Sequence, residues 1–576
     1  MSHQWIAVIG IGLGFLAGRG YAGEWPQFRG VHSDGVAADP AVPSEWGPEK
    51  NVQWKVKVPG VAWSSPIVWG DKIFVTTAVT DNQRKPPQGG GFGGGGPGGF
   101  GEGGPGGGGR GRGGFGGGGF GGPFQPPGQV LPAFLQEMLN LTSAQKKQVE
   151  ELQKEVDARL DKIFTEEQKK RLKEMREGAG RGGSGGGMRG GRRGFGGPGG
   201  RGFGGSRPPD AVYRWEVYCL DRDTGKVLWK EVALEAKPRI AVQQSNTYAT
   251  ETPVTDGERV YAYFGMHGVF CYDFAGKLVW KKDLGAYPTM MGQGPASSPV
   301  LDGERLFLQI DNEEKSFLVA LNAKTGDELW RVDRSERTNH CSPIVWKNKQ
   351  RTELVTGGSQ KVRSYDVATG KVLWELGMGG GQCHATPVAD AEMLYVGCSA
   401  GFGGGFGGGA GGFGGGPGGG RGGSGGSSGG LFAVRAGASG DLTLKEGETS
   451  NAGVAWSQPR GGPEDASPLV YQGHVYVLRK NGIMTCYDAG TGKQIYRERI
   501  ANAKSFWASP FAGNGKVFCL DDGGTTHVLQ AGPEFKVLGK NALNEMFWAS
   551  PAVAGRAVFL RSVDYVYCIA DKGGLR

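Results

Sequence analysis

The stretch Asp223-Thr-Gly-Lys-Val-Leu-Trp229 ends in a tryptophan, contains a tight turn, and recurs along the chain. Close copies are Lys324-Thr-Gly-Asp-Glu-Leu-Trp330 and Ala368-Thr-Gly-Lys-Val-Leu-Trp374, and weaker ones are Ala275-Gly-Lys-Leu-Val-Trp280 and Gly490-Thr-Gly-Lys-Gln-Ile-Tyr496. Glycine accepts positive φ at a turn without steric cost. Each copy therefore predicts a turn followed by an outer strand whose large aromatic residue is buried against the next repeat.

A second periodic feature is a Ser-Pro or Thr-Pro dipeptide that opens a short apolar strand. The dipeptides are Ser65-Pro66, Thr252-Pro253, Ser298-Pro299, Ser342-Pro343, Thr386-Pro387, Ser467-Pro468, Ser509-Pro510 and Ser550-Pro551. Where nothing is inserted, successive prolines lie 41 to 46 residues apart, which is the length of four short strands with their turns. The sequence predicts an all-β, eight-bladed propeller. The last blade lacks one strand, and the strand predicted over 51–58, with Trp54, is expected to close the ring.

The predicted docking residues are Trp54, Trp229, Trp280, Trp330 and Trp374. Together with the anchors and turns they resemble the pyrroloquinoline-quinone (PQQ) repeat superfamily, which includes quinoprotein alcohol dehydrogenases and BamB-like propellers, over about 51–80, 211–400 and 431–576. The resemblance implies either a non-catalytic scaffold or a dehydrogenase that uses PQQ with calcium. The sequence has no Cys-Cys pair and no Cys-x-x-Cys-His, and only Glu251, Asp465 and Asn339 are candidates for a calcium set, on different blades.

Residues just before the innermost strands can surround one mouth of the channel. Three positions before the anchor prolines stand Trp63, Thr250, Ala296, His340, His384, Asp465, Trp507 and Trp548. The tryptophans, on adjacent blades, are suited to stacking a ring, a sugar or a peptide side chain. Glu251, next to Thr250, is a further candidate at the mouth. His340 and His384, with Cys341 and Cys383 next to them, are weak metal candidates. In the alternative interpretation the tryptophans plug the mouth and the histidines bond to loops.

The domain organisation predicted from composition has six parts. They are a signal peptide (1–22), the closing strand and start of blade one (23–80), an insert (81–210), blades one to five (211–399), a glycine-rich loop (400–430) and blades five to eight (431–576). The insert holds glycine tracts at 87–128 and 178–206 around a helical segment, 130–177, predicted as a hairpin. Its Thr142 and Thr165 caps resemble the LTxxQ motif of small periplasmic chaperones, and the segment is either an interaction arm or a solvated hairpin.

The formal charge of +9 lies mostly in the 81–210 insert, so it does not predict a nucleic-acid-binding surface on the propeller. The apolar run before residue 22 predicts export to the periplasm or secretion, with no lipid-attachment cysteine and no membrane anchor after cleavage. Of eight cysteines, Cys219, Cys271, Cys486 and Cys568 occupy equivalent strand positions and are predicted to be buried and unbridged. The leading hypothesis is a scaffold for other extracytoplasmic proteins; the alternatives are a PQQ-dependent dehydrogenase and a small-ligand or metal-binding module.

Overall fold

A computed structural model describes residues 23–37, 41–81, 83, 141–166, 168–169, 207–381, 383–399 and 429–574 of the chain. The chain divides into two compact units, Met1–Gly94 with Arg201–Arg576, and Gly95–Gly200. The predicted signal peptide, 1–22, and the predicted glycine tracts, 87–128 and 178–206, lie outside the described residues, as does the 400–430 loop except for its last two residues.

The first unit is an eight-bladed β-propeller, as predicted. Each blade has four antiparallel strands, of which the one nearest the channel is called the innermost and the one at the circumference the outer strand. The first strand in the chain, β1 (Val52–Lys57), belongs to blade 8. Blades 1 to 3 contain β2 (Ile67–Trp69), β3 (Lys72–Val79), β4 (Tyr213–Asp221), β5 (Val227–Ala236), β6 (Val254–Thr255), β7 (Arg259–Tyr263), β8 (Val269–Asp273), β9 (Leu278–Lys282), β10 (Val300–Asp302), β11 (Arg305–Ile310), β12 (Phe317–Asn322) and β13 (Glu328–Asp333).

Blades 4 and 5 are interleaved in the chain. Their strands are β14 (Ile344–Lys347), β15 (Thr352–Thr356), β16 (Lys361–Asp366), β17 (Val372–Gly377), β18 (Val388–Ala389), β19 (Met393–Gly397), β20 (Leu431–Arg435), β21 (Gly440–Asp441) and β22 (Val454–Gln458). Strand β21 leaves blade 5 and pairs with β17 as a fifth, parallel strand of blade 4.

Blades 6 to 8 complete the ring. Their strands are β23 (Leu469–Tyr471), β24 (His474–Leu478), β25 (Ile483–Asp488), β26 (Gln494–Arg499), β27 (Phe511–Gly513), β28 (Lys516–Leu520), β29 (Thr525–Gln530), β30 (Val537–Ala542), β31 (Ala552–Ala554), β32 (Ala557–Arg561) and β33 (Tyr565–Ala570). The predicted closure is confirmed, because β1 pairs antiparallel with β33 and places Trp54 opposite Cys568. All eight cysteines are unbridged and buried.

The anchor serines and threonines are joined around the channel by hydrogen bonds. The backbone N–H of one anchor donates to the hydroxyl of the next, at 2.9–3.1 Å, at the seven junctions from Ser65 to Ser550. At the eighth junction, between blades 8 and 1, the Ser65 hydroxyl has no partner among the described residues. A hydroxyl is therefore required before the proline because it satisfies a buried backbone N–H of the neighbouring blade.

Docking tryptophans connect neighbouring blades in the predicted manner at four sites. The indoles of Trp54, Trp229, Trp280 and Trp330 donate to backbone carbonyls at the turn of the next blade, over 2.9–3.3 Å. The turn glycine lies against the indole: a Cβ on Gly326, whose φ is +77°, would stand 2.6 Å from Trp280. Glycine is needed there for both its conformation and its lack of a side chain.

Two tryptophans depart from the predicted set. Trp374 is fully buried and donates to Glu353 Oε2 within its own blade, at 2.7 Å, instead of to the next blade. Trp456, which the repeat search missed, donates to the carbonyl of Ala489 at 2.9 Å. It therefore makes the blade 5 to blade 6 contact that the docking pattern requires.

The segment 25–37 crosses the channel, which the sequence did not predict. Trp25 pairs with Val68 of blade 1, the Thr255 N–H of blade 2 donates to the Pro26 carbonyl, and residues 35–37 bond to Ala512 of blade 7. Gln27 accepts a hydrogen bond from Leu301 of blade 3. Blades 3 and 7 lie on opposite sides of a ring of eight. The blade residues that the segment contacts each lie two positions after an anchor proline; they are Val68, Thr255, Leu301 and Ala512. The segment therefore spans the channel on the side away from the anchor mouth.

The second unit contains a helix, α1 (Ser143–Ile163), capped at Thr142 by reciprocal bonds with Gln145. The same bonds recur between Thr165 and Gln168. None of the α1 residues is buried, and the rest of the predicted hairpin lies outside the described residues. Among the described helices, none is long and apolar enough to span a bilayer.

Candidate functional site

Three tryptophans form a stacked wall at the anchor mouth. Trp507 and Trp548 stack with ring centroids 4.1 Å apart and planes 18° apart, and Trp63 stacks on Trp548 at 4.7 Å and 27°. Trp63 donates its indole N–H to the Ser245 carbonyl at 3.1 Å. The indole nitrogens of Trp507 and Trp548 are buried and have no hydrogen-bond partner among the described residues. The wall thus carries two N–H donors that the described fold leaves unsatisfied.

A charged series of side chains continues from this wall. Lys480 Nζ lies 3.3 Å above the Trp507 ring and 3.8 Å from Asp465. Asp465 Oδ1 is 2.9 Å from His384 Nδ1, and the His384 ring meets His340 edge to face at 5.0 Å. His340 Nε2 lies 3.1 Å from the Gly294 carbonyl.

We call this continuous set the mouth belt, and it occupies one side of the mouth from blade 4 through blades 5 to 8 to blade 1. Its members are His340, His384, Asp465, Lys480, Trp507, Trp548 and Trp63. Lys480 was missed in the sequence, because it follows the second strand of blade 6 and so falls outside the alignment on the anchor proline.

The electrostatics of the belt favour an ionised Asp465 beside a neutral His340. Burial works to raise the pKa of Asp465, but the hydrogen bond and charge of His384 and the charge of Lys480 hold it below its usual value. Burial lowers the pKa of Lys480, against the attraction of Asp465. Burial, followed by the neighbouring His384, lowers the pKa of His340 to about 3. With Nδ1 of His384 turned to a carboxylate, its Nε2 is buried without a partner among the described residues.

The other side of the mouth holds Thr250, Ala296 and Glu251. The Thr250 hydroxyl is hydrogen-bonded to the side chains of Thr247 and Asn246. Glu251 is buried, burial raises its pKa to about 8, and its Oε1 has no partner among the described residues. A Cβ on Gly265 would stand 2.7 Å from that oxygen. Gly265 lines a small cavity of about 30 Å³, which has room for about two waters.

A buried ion pair lies between blades 3 and 4. Arg334 Nε is 2.8 Å from Asp311 Oδ1, and both side chains are completely buried. The guanidinium also donates to Tyr365, Thr356 and the Gly357 carbonyl. Because every one of these partners belongs to the blade framework, the pair is structural.

The three residues considered as calcium ligands form no hydrogen bond with one another among the described residues. Asn339 accepts from the Cys383 N–H and donates to the Arg337 carbonyl, Asp465 pairs with His384, and Oε1 of Glu251 has no partner among the described residues. In the described parts of the chain no three His, Cys, Asp or Glu side chains form a metal-binding group. Burial raises the pKa of Cys341 to about 12, and contact with Cys398 and burial raise that of Cys383, so both groups are protonated thiols at neutral pH.

Fold, repeats and docking tryptophans together define the chain as a PQQ-like β-propeller. Residues 214–403 match the family described as outer membrane protein assembly factor BamB. A curated relative, outer membrane protein assembly factor BamB of Yersinia pestis, is 23% identical over 278 residues, which cover 43% of this chain and 66%, just under two thirds, of the relative.

Two solved structures resemble the chain at low identity. BamB from Moraxella catarrhalis has a TM-score of 0.42 and 11% identity, covering 62% of this chain and 89% of that one. Quinohemoprotein alcohol dehydrogenase from Comamonas testosteroni has a TM-score of 0.41 and 11% identity, covering 63% and 73%. One is named as an assembly factor and the other as a dehydrogenase, so these similarities do not choose between a scaffold and an enzyme.

Proposed function

We propose that the chain is a non-catalytic extracytoplasmic scaffold whose channel mouth binds other proteins. The observation that carries the proposal is the mouth belt, in which stacked Trp507 and Trp548 adjoin Lys480, Asp465 and His384. Tryptophan beside charged groups is typical of the few residues that supply most of the binding energy in protein interfaces. The similarity to an outer membrane protein assembly factor supports partners outside the cytoplasm.

The belt also indicates what a partner must supply. The indole N–H groups of Trp507 and Trp548 and the Nε2 of His384 are buried without described partners, and unmet polar groups of this kind cost about 1–3 kcal/mol each. A backbone carbonyl or carboxylate from a partner would satisfy the indoles if the tryptophan side chains turned on binding and exposed their N–H groups. A small molecule with the same oxygens would do so too, and this is the second candidate function at the same site.

The location that we propose is the periplasm or the extracellular space. It rests on the predicted signal peptide and on the similarity to BamB. A PQQ-dependent dehydrogenase is the less favoured function, because Asn339 and Asp465 are hydrogen-bonded to other groups of the fold and the sequence has no Cys-Cys pair.

A quantitative capture experiment tests the scaffold. Purified chain beginning at residue 23 is used to retain proteins from a periplasmic extract, and retained partners are measured against bait concentration. We expect Trp507→Ala with Trp548→Ala to lower the apparent affinity of a specific partner at least tenfold. Leu538→Ala, which removes an exposed aliphatic side chain from the outer edge of blade 7, should leave it unchanged. Asp465→Asn serves as a milder belt variant if the double variant unfolds.

Equal capture by wild type and by both belt variants would contradict the proposal. The enzymatic alternative is tested separately by titrating the protein with PQQ and calcium while following quinone absorbance and dye-linked alcohol oxidation. Saturable binding with turnover would make the protein an enzyme and overturn the scaffold assignment.

A further inference from the structure

The outer strands of blades 1 to 4 carry equivalent triplets that end in a tryptophan. They are Val227-Leu228-Trp229, Leu278-Val279-Trp280, Glu328-Leu329-Trp330 and Val372-Leu373-Trp374. In blades 1, 2 and 3 the middle residues are 44%, 46% and 47% exposed. In blade 4 Leu373 is partly buried and packs with the hydrophobic cluster around the fully buried Trp374.

The difference in blade 4 is that β21 covers the outer edge of β17. Gly440 and Asp441 pair in parallel with Trp374 and Glu375. The Leu442 N–H then donates to the Glu375 carbonyl at 2.8 Å, and the Gly377 N–H donates to Thr443 Oγ1 at 2.9 Å. The fold therefore shows how an extended segment seats on this type of edge.

Leucines on the added segment complete the contact. Leu442 is buried, and Leu444, two positions later, packs with the cluster that contains Leu373. Alternate residues of an extended strand point to the same face, so the segment presents its leucines to the blade while its backbone pairs with the edge. Main-chain bonds combined with alternate side-chain contacts are the means by which sheets bind added peptide strands.

Blade 2 offers the same edge with a complementary charge. The exposed pair Leu278 and Val279 is flanked by Lys277, Lys281 and Lys282, which form no ion pair with other described residues. In blade 4 the carboxylate of Asp441 lies near the charge of Lys361. The corresponding strands of blades 1 and 3 carry one basic residue each, Lys230 and Arg331, and these pair with Glu216 and Glu328. Blade 2 therefore presents the most basic of the three edges.

We propose that the β9 edge of blade 2 binds an extended segment of a partner protein in which leucines alternate with acidic or polar residues, adding as a parallel strand. This surface lies on the circumference of the ring and is separate from the mouth belt. Edge strands of folded proteins are usually blocked by charges, a bulge or a cover. Blade 4 has a cover, whereas β9 has lysines and no covering strand among the described residues, so a segment that adds there must carry acidic groups to pair with them.

The probe for this edge is a fluorescein-labelled peptide of residues 438–446, Ala-Ser-Gly-Asp-Leu-Thr-Leu-Lys-Glu, titrated against the whole protein by fluorescence anisotropy. We expect saturable binding that Val279→Asp weakens at least tenfold and Lys281→Glu weakens severalfold. Val537→Asp, at an outer-edge site of blade 7 that is 38% exposed against 46% for Val279, should have no effect. A peptide with serine in place of both leucines should not bind.

Hydrogen exchange gives a second, independent readout, because strand addition slows exchange of edge amides. We expect protection of residues 278–282 on peptide binding. The proposal is overturned by no binding up to millimolar peptide, by equal loss in the Val279 and Val537 variants, or by protection confined to β17, which would mean that the peptide only displaces β21.

Discussion

The backbone N–H of Ser298 donates to Oγ of Ser342 at 2.9 Å, and this bond joins the starts of the innermost strands of blades 3 and 4. The Ser342 N–H repeats the relationship with Thr386, one blade further on, at 3.1 Å. The serine or threonine of each anchor is thus a connector between blades, and the proline that follows has no N–H of its own to satisfy.

Replacing Ser342 by alanine is expected to destabilise the propeller by about 1–3 kcal/mol, because the buried N–H of Ser298 loses its acceptor. The measurement is the free energy of unfolding from urea titration. Ser65→Ala is the matched control, since the Ser65 hydroxyl has no partner among the described residues. Equal losses in the two variants would show that the hydroxyl acts in some way other than by joining blades.

Gly326→Ala tests the close approach of turn and docking tryptophan. The new Cβ would stand 2.6 Å from Trp280 and would also sit at positive φ. Gly303 shares the positive φ, but a Cβ there meets nothing within 4 Å. Gly303→Ala should therefore cost only the backbone strain, about 1 kcal/mol, and Gly326→Ala clearly more. Thermal unfolding compares them, and similar midpoints would argue against tight packing of Trp280 on the turn.

Glu251→Gln is expected to remove a pH dependence of stability. Burial raises the folded-state pKa of Glu251 to about 8, whereas the unfolded pKa is about 4.3. The unfolded state therefore loses its proton first as the pH rises, and the free energy of unfolding falls between about pH 4.5 and 8. The variant should lack that fall and should be more stable than wild type at pH 8, by up to about 5 kcal/mol. Glu258→Gln, at an exposed position, is the control. An unchanged slope in Glu251→Gln would show that this carboxyl does not titrate as described.

Arg334→Met should destabilise the fold by about 3–5 kcal/mol, because it leaves Asp311 buried and unpaired. Adding Asp311→Leu removes the unpaired carboxylate, so the double variant should recover much of the lost free energy of unfolding. Urea unfolding of the three proteins measures both effects. A double variant no better than the single one would mean that the remaining partners of Arg334, not the ion pair, account for its contribution.

The repeat pattern predicted the ring because the anchor dipeptide, the turn and the tryptophan are short motifs that recur in successive blades. The segment 51–58 contains Trp54 in a strand-like run, so it was assigned as the outer strand that the last blade lacks. Trp456 was missed because the chain leaves blade 5 between β20 and β22 to form β21, so the tryptophan no longer follows its turn directly. Trp46 was also missed: in blade 7 Gly539 stands where other blades have an aromatic residue, and Trp46 stacks near Phe518 there instead.

The mouth was predicted less completely than the ring. Alignment on the anchor proline found His340, His384, Asp465 and the three tryptophans, since these share one repeat position. It could not show that Lys480 bridges Asp465 and Trp507, or that segment 25–37 crosses the channel beyond them. Both depend on long-range packing that has no repeat signal.

The most direct test of the mouth as a protein-binding site is site-specific photocrosslinking. A photoreactive amino acid replaces Lys480 in the belt and, as a control, the exposed Gln472 at the opposite end of blade 6. The account predicts a discrete partner adduct at position 480 that excess unlabelled wild-type protein suppresses, and no such adduct at 472. No protein adduct at 480, or the same adducts at both positions, would contradict it.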